Sequence, residues 1–216
     1  MFKAKEDVKL VIFDLDGTLI DSYQAIAGSF NHVMRHFGKQ PESMESIRKA
    51  VGWGDSSLLK PFLEKEDLNV GLRLYRRHHQ ESLKKQARLY PGVGKLLAYL
   101  KAKGYKLAVA SNRPTRFSLI ILRALKLRKY FDYVLCADKL KRGKPHPQIL
   151  NIIRRKFCLK PEQTLYVGDM TIDLLAGERA RIRTILVTTG SSSKAEIAKH
   201  SPYLTIRRVY DLRKIL

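Results

Sequence analysis

Short apolar runs that alternate with helical patterns constrain the fold of this chain more than any other feature of its sequence. We predict buried strands at residues 8–13, 106–110 and 164–167, and further strands at 133–136, 185–187 and 203–206. Helical patterns lie between them, at 93–103, 115–125, 147–157 and 171–180. Because the strands are apolar on both faces, the alternation predicts an α/β fold with a doubly wound parallel sheet.

A segment of a different kind separates the first predicted strand from the second. From Asp21 to about Arg88 the pattern is helical throughout. The apolar residues of its first helix, which Asp21 or Ser22 would cap, share one face: Ile26, Phe30, Val33, Met34 and Phe37. Further helices near 43–51, 56–63 and 68–86 would complete a small bundle. We therefore predict an α/β core of residues 1–19 and 89–216, interrupted by a helical domain of residues 20–88.

Basic residues outnumber acidic ones, with 42 Lys and Arg against 20 Asp and Glu and a formal net charge of +22. Most of the excess lies in residues 89–216, which hold 27 basic and 8 acidic residues. A field of this sign attracts phosphorylated and polyanionic molecules. The basic clusters are not interleaved with stacking aromatic residues, so we expect a solvated surface that binds nucleic acid weakly and without specificity at most.

The sequence has no stretch that approaches the roughly 20 consecutive apolar residues of a membrane span. Its N-terminal residues include Glu6 and Asp7, where a signal peptide would have an apolar segment. We therefore expect no membrane association and a cytoplasmic location. Cys136 and Cys158 have no metal-ligand spacing, and we predict that both are inert, buried thiols.

Two carboxylates, Asp14 and Asp16, follow the first predicted strand in the sequence DLDGT at residues 14–18. Residues two apart in an extended chain point the same way, so both can project at the edge where doubly wound sheets bind ligands. A second acidic pair, Asp169 and Asp173, follows the predicted strand 164–167, and the order of the strands in the sheet decides whether the two pairs meet. Two such charges about 4 Å apart repel by roughly 4 kcal/mol. If the pairs meet, a cation must lie among them, and Mg²⁺ suits an all-oxygen site.

Three further residues add groups that complement these acids. Lys144 offers a positive charge from the proline-flanked loop GKPHP, and Ser111 and Asn112 follow the predicted strand 106–110. A carboxylate nucleophile, a neighbouring acid, a magnesium ion and fixed cationic groups together favour phosphoryl transfer. Taken singly, the same residues also fit structural roles in an acidic turn, a helix N-cap or a solvated loop.

The order of these elements resembles that of the haloacid dehalogenase superfamily of phosphohydrolases, whose four motifs match DLDGT, Ser111, Lys144 and the sequence GDMTID at 168–173. The resemblance implies that Asp14 attacks phosphorus to form an aspartyl phosphate, while Asp16 acts as general acid and then as general base. It implies phosphate binding by Thr18, Ser111, Asn112 and Lys144, and Mg²⁺ binding by Asp14, the backbone carbonyl of Asp16, Asp169 and, directly or through water, Asp173.

The predicted helical domain is similar to the helical cap of the phosphoglycolate phosphatase and β-phosphoglucomutase group. Residues 111–114, SNRP, are similar to the Thr-Asn-Lys-Pro of many phosphoglycolate-phosphatase-like members. Residues 51–54, VGWG, resemble their cap loop, which makes Trp53 a candidate specificity residue. This resemblance implies a phosphatase of small phosphorylated metabolites, with phosphoglycolate as the leading substrate.

Two alternatives stay open: a phosphomutase of the β-phosphoglucomutase type, using the same Asp14 and Asp16, and a basic nucleic-acid-binding protein with a vestigial active site. The dehalogenase branch lacks an acid at the position of Asp16. The phosphonatase branch needs a cap lysine, and none occurs in residues 21–38. The oligomeric state stays open as well. His78 and His79 point two ways around a helix, and we predict that they are solvated.

Overall fold

The computed structural model describes residues 8–216, and residues 1–7 of the predicted core lie outside that range. The strands are β1 (Leu10–Phe13), β2 (Ile20–Asp21), β3 (Arg88–Leu89), β4 (Lys106–Ser111), β5 (Tyr133–Cys136), β6 (Thr164–Gly168), β7 (Arg183–Val187) and β8 (Leu204–Ile206). The α-helices are α1 (Tyr23–His36), α2 (Met44–Ala50), α3 (Asp55–Leu59), α4 (Leu68–Gln86), α5 (Val93–Ala102), α6 (Thr115–Ala124), α7 (Gln148–Lys156), α8 (Thr171–Ala180) and α9 (Lys194–Ile197). Short 3-10 helices span Arg128–Tyr130, Ala137–Lys139, Pro161–Gln163 and Val209–Lys214.

The predicted parallel sheet is confirmed. Within residues 8–216 it has six strands in the order β5-β4-β1-β6-β7-β8, and each overlaps a predicted strand, with bounds that differ by at most two residues. β1 lies in the middle, paired in parallel with β4 on one side and with β6 on the other. The strand order reverses on either side of β1, and the reversal opens a crevice at the carboxyl ends of these strands.

Alternate side chains of β1 enter two separate apolar layers, which explains why the strand reads as a continuous apolar run. Val11 and Phe13 pack in one layer with residues of α5 and α6, whereas Leu10 and Ile12 pack in the other with residues of α7 and α8. Each fully buried side chain of this kind contributes about 1.5–3 kcal/mol. Helices therefore cover both faces of the sheet, as the doubly wound fold requires.

The register of the sheet brings three chain segments to one edge. Phe13, the last residue of β1, is level with Val109 of β4 and Val167 of β6. The next residue, Asp14, donates its backbone N–H to the carbonyl of Val167 at 2.9 Å. The ends of β1, β4 and β6 thus place Asp14 beside the first residues after each neighbouring strand.

Helices α1 to α4 form a bundle between β2 and β3, which we call the helical insert. Its interior is a third apolar cluster, built around residues such as Phe30, Val33, Met34 and Leu59. The helix predicted at 56–63 is shorter than expected, since α3 ends at Leu59. The antiparallel pairing of β2 with β3 joins the two ends of the insert; with two residues each, these strands are too short for a recognisable sequence period. The division into two domains stays a prediction.

The predicted cap of α1 is confirmed, and one other local prediction is wrong. Ser22 is the N-cap residue of α1, and the side chain of Asp21 accepts a hydrogen bond from the backbone N–H of Tyr23 at 3.2 Å. The Ser22 hydroxyl donates to Asp16 instead of capping the helix. Cys136 is buried as predicted, but Cys158 is exposed, because it lies in the turn that follows α7, with φ of 54°. None of the helices in residues 8–216 combines the length and the apolar character that crossing a membrane requires.

Candidate active site

Asp14 lies where β1 ends, in a buried group of opposite charges. Its Oδ1 accepts a hydrogen bond from Lys144 Nζ at 2.7 Å, and the same ammonium donates to Asp173 Oδ1 at 2.7 Å. Lys144 reaches this point from the loop between β5 and α7, and Asp173 from the first turn of α8. Oxygens of Asp14, Asp169 and Asp173 lie within 4.8 Å of one another. We call these three acids and Lys144 the acidic cluster.

Burial and mutual repulsion shift the pKa values in the acidic cluster. Burial, the charge of Asp173 and the charge of Asp16 raise the pKa of Asp14 to about 7, although Lys144 opposes the shift. Burial raises the pKa of Asp169 well above its usual range, and the charges of Asp173 and Asp14 add to the effect. Burial alone would lower the pKa of Lys144, but Asp14 and Asp173 outweigh it and raise that pKa. One lysine therefore does not neutralise the three acids.

Asp169 has the features of a cation ligand. Its Oδ1 accepts a hydrogen bond from the Thr18 hydroxyl at 2.7 Å, while its Oδ2 is buried and has no hydrogen-bond partner among the described residues. A Cβ atom on Gly17 or Gly190 would clash with Oδ2, so both glycines are needed to leave room beside this oxygen. A buried, unpaired oxygen among other carboxylates is costly without a cation. The cluster therefore fits a hard divalent ion.

Asp173, by contrast, has both oxygens engaged. Oδ1 accepts hydrogen bonds from Lys144 Nζ and, at 2.6 Å, from the Tyr166 hydroxyl. Oδ2 accepts from the backbone N–H groups of Asp169 at 3.2 Å and Met170 at 3.0 Å. Asp173 thus links Lys144 to the start of α8 through hydrogen bonds. The hydrogen bond from Tyr166 to Asp173 was not predicted from the sequence.

Three residues predicted to bind phosphate have other contacts in the structure. The Thr18 hydroxyl donates its hydrogen bond to Asp169. The Asn112 amide donates to the carbonyls of Gly52 and Lys144, each at 2.9 Å, and accepts from the Lys144 N–H at 2.8 Å. Asn112 therefore holds the Lys144 loop against the helical insert. The buried Ser111 accepts a hydrogen bond from the backbone N–H of Arg113 at 3.2 Å and lines the same cavity as Asp14. Phosphate binding by Thr18, Ser111 and Asn112 stays a prediction.

Asp16 belongs to a different group of side chains, away from Lys144. The Arg113 guanidinium pairs with both of its oxygens, at 2.8 Å from Nε and 2.6 Å from Nη2, and Ser22 donates to Oδ1. Burial alone would raise the pKa of Asp16, but the charge and hydrogen bonds of Arg113 and the Ser22 bond outweigh it and lower that pKa. Arg113 Nη1 in turn lies 2.6 Å from Nε2 of His79, on α4.

The prediction that His79 is solvated is wrong, since only 1% of its surface is exposed, and His78 is half-buried. His79 lies on the inner face of α4 together with Tyr75, Ser82 and Leu83. These positions follow the i, i+4, i+7, i+8 spacing of a buried helix stripe. That spacing is visible in the sequence and could have identified His79 as an inward-facing residue.

Both groups border one cavity between the core and the helical insert. Its lining includes Asp14, Asp16, Arg113 and Lys144 from the core. Apolar side chains make up much of the remaining wall, including Ile26, Val51, Leu58, Phe117, Met170 and Ile172. Among the described residues of the loop before α3, Gly52 and Gly54 line the cavity, whereas Trp53 does not and is 51% exposed. A specificity role for Trp53 stays a prediction.

Residues 11–187 match the model of the haloacid dehalogenase-like hydrolase family. The chain belongs to this family. It is 32% identical over 220 residues to phosphoglycolate phosphatase 1 of Pseudomonas aeruginosa, an alignment that covers 98% of this chain and 80% of that protein. It is also 32% identical to the phosphoglycolate phosphatase of Aquifex aeolicus, with 97% of each chain covered.

A solved structure has the same fold over nearly all of this chain. The crystal structure of a predicted phosphoglycolate phosphatase from Haemophilus somnus superposes with a TM-score of 0.92 at 31% identity, covering 98% of this chain and 99% of that one. The family member described here is therefore a phosphatase that acts on phosphate monoesters. Phosphatases of this family generally use a divalent metal, and the acidic cluster fits one.

Proposed function

We propose that this chain is a Mg²⁺-dependent phosphatase that hydrolyses a small phosphate monoester, with phosphoglycolate as the leading substrate, through an aspartyl phosphate on Asp14. The observation that supports this best is the position of Asp14. It directly follows β1, borders the cavity and pairs with Lys144 at 2.7 Å. Its neighbour in the acidic cluster, Asp169, has a buried Oδ2 without a hydrogen-bond partner among the described residues.

The residues that would hold Mg²⁺ are Asp14, Asp169 and the backbone carbonyl of Asp16. When bound, the ion neutralises charge on the phosphoryl oxygens and lowers the repulsion between them and the carboxylates. The side-chain oxygens of Asp173 are already engaged in hydrogen bonds, so Asp173 supports the site by orienting Lys144.

In the first half-reaction, an Asp14 oxygen attacks phosphorus and the bond from phosphorus to the ester oxygen breaks. Asp16 donates the proton that the departing alcohol oxygen takes up. This role requires Asp16 to be protonated when the ester is bound, whereas in this structure Arg113 outweighs the effect of burial and lowers its pKa. Lys144 and Ser111 bind the transferring phosphoryl group and keep its oxygens in place. The products of this step are the free alcohol and a phosphoryl group carried on Asp14.

In the second half-reaction, water attacks the phosphorus of the acyl phosphate and the bond to Asp14 breaks. The Asp16 carboxylate accepts a proton from that water. Inorganic phosphate is released and the Asp14 carboxylate is regenerated. The cycle needs no reactant besides the ester and water.

A small substrate suits the cavity, because the helical insert covers Asp14 with apolar side chains such as Val51 and Leu58. Such covers close over small substrates and exclude water from the reacting groups. Phosphoglycolate is favoured because relatives at 32% identity are named phosphoglycolate phosphatases.

A phosphate-release screen over a panel of phosphorylated metabolites, run with Mg²⁺ and with EDTA, tests the proposal. We expect release from phosphoglycolate with Mg²⁺, loss of release with EDTA and recovery when Mg²⁺ is restored. Products from sugar phosphates are analysed for isomers in the same screen. A sugar phosphate isomerised without release of phosphate, or turnover unaffected by EDTA, would contradict the proposal.

A further inference from the structure

His79 and Arg113 connect the helical insert to Asp16, and the reaction proposed above assigns neither of them a part. Arg113 lies in the loop between β4 and α6, and His79 lies on α4. The Arg113 guanidinium contacts Asp16 with Nε and Nη2 and contacts His79 Nε2 with Nη1 at 2.6 Å. One buried guanidinium therefore joins the two parts of the molecule.

The direction of these hydrogen bonds follows from the donors available. A guanidinium has only donors, so the Nε2 of His79 must accept and can carry no proton. The ring hydrogen is then on Nδ1, which lies 3.1 Å from the Ser29 hydroxyl and 3.3 Å from the carbonyl of Ala25, both on α1. His79 thus donates to α1 and accepts from Arg113 at the same time.

The surroundings of His79 keep the ring neutral and in one orientation. Burial and the charge of Arg113 lower the pKa of His79 to about 3. The ring stacks on Tyr75 with centroids 4.8 Å apart, and Phe117 meets it edge-on at 5.4 Å. Hydrogen bonds at both nitrogens and aromatic contacts leave the imidazole little freedom to rotate.

Because Nε2 of His79 is a fixed acceptor, it limits rotation of the Arg113 guanidinium. The same guanidinium donates to both oxygens of Asp16. Charge-assisted bidentate pairs of this kind specify geometry as well as energy. We propose that His79 is a positioning residue, which acts through Arg113 to orient the Asp16 carboxyl for proton transfer when the helical insert lies on the core. This inference rests on the proposed function, in which Asp16 is the acid and base.

Two substrates with different leaving groups distinguish a misplaced Asp16 carboxyl from a general loss of active-site structure. An alkoxide, as released from phosphoglycolate, needs a proton to depart, whereas p-nitrophenolate leaves without one. The parameter kcat/KM reports events up to the first irreversible step, here the loss of the alcohol. Poor orientation of Asp16 therefore lowers kcat/KM for the alkyl ester selectively.

The test variant is His79→Leu and its matched control is His79→Gln, which retains an acceptor for Arg113. General acids contribute roughly 10²–10⁴-fold, so we expect His79→Leu to lower kcat/KM about 10- to 100-fold for phosphoglycolate and less than about threefold for p-nitrophenyl phosphate. His79→Gln is expected to restore most of the loss. Arg113→Lys, which cannot form the two-point contact, is a second variant with the same expected selectivity, for use if His79→Leu does not fold.

Equal losses with both esters, or a His79→Gln variant as impaired as His79→Leu, would overturn the inference while leaving the proposed function intact. A wild-type protein that hydrolyses neither ester in the presence of Mg²⁺ would overturn the proposed function and this inference with it. A selective loss in His79→Leu that His79→Gln repairs supports the positioning role.

Discussion

The two acids of the DLDGT sequence lie two residues apart but belong to different structures. Asp14 joins the acidic cluster, which comes entirely from the α/β core. Asp16 pairs with Arg113, which also contacts His79 of the helical insert. Within residues 8–216, Oδ2 of Asp169 in the acidic cluster is buried without a hydrogen-bond partner, whereas both oxygens of Asp16 are paired. The first group thus fits a cation, and the second fixes one carboxyl where the helical insert contacts the core.

The largest effect is expected at the nucleophile. Asp14→Asn keeps the shape of the side chain but removes its ability to attack phosphorus, so turnover is expected to fall by at least about 10⁴-fold. Steady-state phosphate release measures the loss, and circular dichroism checks the fold. If Asp14→Asn retained activity within tenfold of the wild type, Asp14 would not be the nucleophile.

A smaller but specific effect is expected at Asp169. Asp169→Asn should weaken the response to Mg²⁺ by about 10- to 100-fold, because it replaces a charged ligand with a neutral one. Thermal unfolding gives a readout independent of turnover, since an ion that binds the folded state at 100 times its Kd stabilises it by about 2.7 kcal/mol. We expect Mg²⁺ to raise the melting temperature of the wild type and not of the variant. Equal shifts in both proteins would place the ion elsewhere.

Acid pH should destabilise the fold through His79, which contacts Arg113 of the Asp16 group. The pKa of His79 is about 3 in the folded protein against 6.5 for an unperturbed histidine. Below pH 6.5 the unfolded chain therefore binds a proton that the folded protein does not, and folding stability falls as the pH falls. The change is at most about 1.4 kcal/mol per pH unit. The charged or titratable groups facing the ring are Arg113, Asp16, His78 and Tyr75.

The matched comparison is the free energy of unfolding of the wild type and of His79→Gln between pH 7 and pH 5. Because glutamine does not titrate, we expect the wild type to lose more stability than the variant on acidification. Parallel pH profiles would show that His79 does not resist protonation in the folded state.

The smallest effect is expected at Trp53, which lies outside both groups. Its side chain is 51% exposed, and its neighbours Gly52 and Gly54 line the cavity instead. Trp53→Ala should change kcat/KM by less than about threefold and stability by about 0.5 kcal/mol or less, as is usual at the surface. A change in kcat/KM above tenfold for one substrate only would establish the predicted specificity role.

The acidic cluster was predictable because parallel strands bring their carboxyl ends together. Asp14 and Asp169 each follow an apolar run, and the pairing of β1 with β6 makes them neighbours. Lys144 was also identified from the sequence as a source of positive charge for this site. The sequence could not show that Asp173 is saturated by hydrogen bonds or that Thr18 donates to Asp169, because these details depend on side-chain directions.

The Asp16 group was not predictable in this way, because its members meet through helix packing. Arg113 and His79 are 34 residues apart and contact each other where the helical insert lies on the core. The spacing of apolar residues around His79 indicates a buried helix face, but it does not show that Arg113 is the residue that His79 contacts. Such contacts depend on how separate elements pack together, and the hydrophobic periodicity of a single helix carries no information about that packing.

Mass spectrometry of the acid-quenched enzyme after mixing with phosphoglycolate and Mg²⁺ tests the central claim most directly. We predict one phosphoryl group per chain, labile to base as an acyl phosphate is, on the peptide that contains Asp14, and none in the Asp14→Asn variant. A phosphoryl group on another residue, or hydrolysis in which the protein carries no phosphoryl group at any time point, would contradict the account.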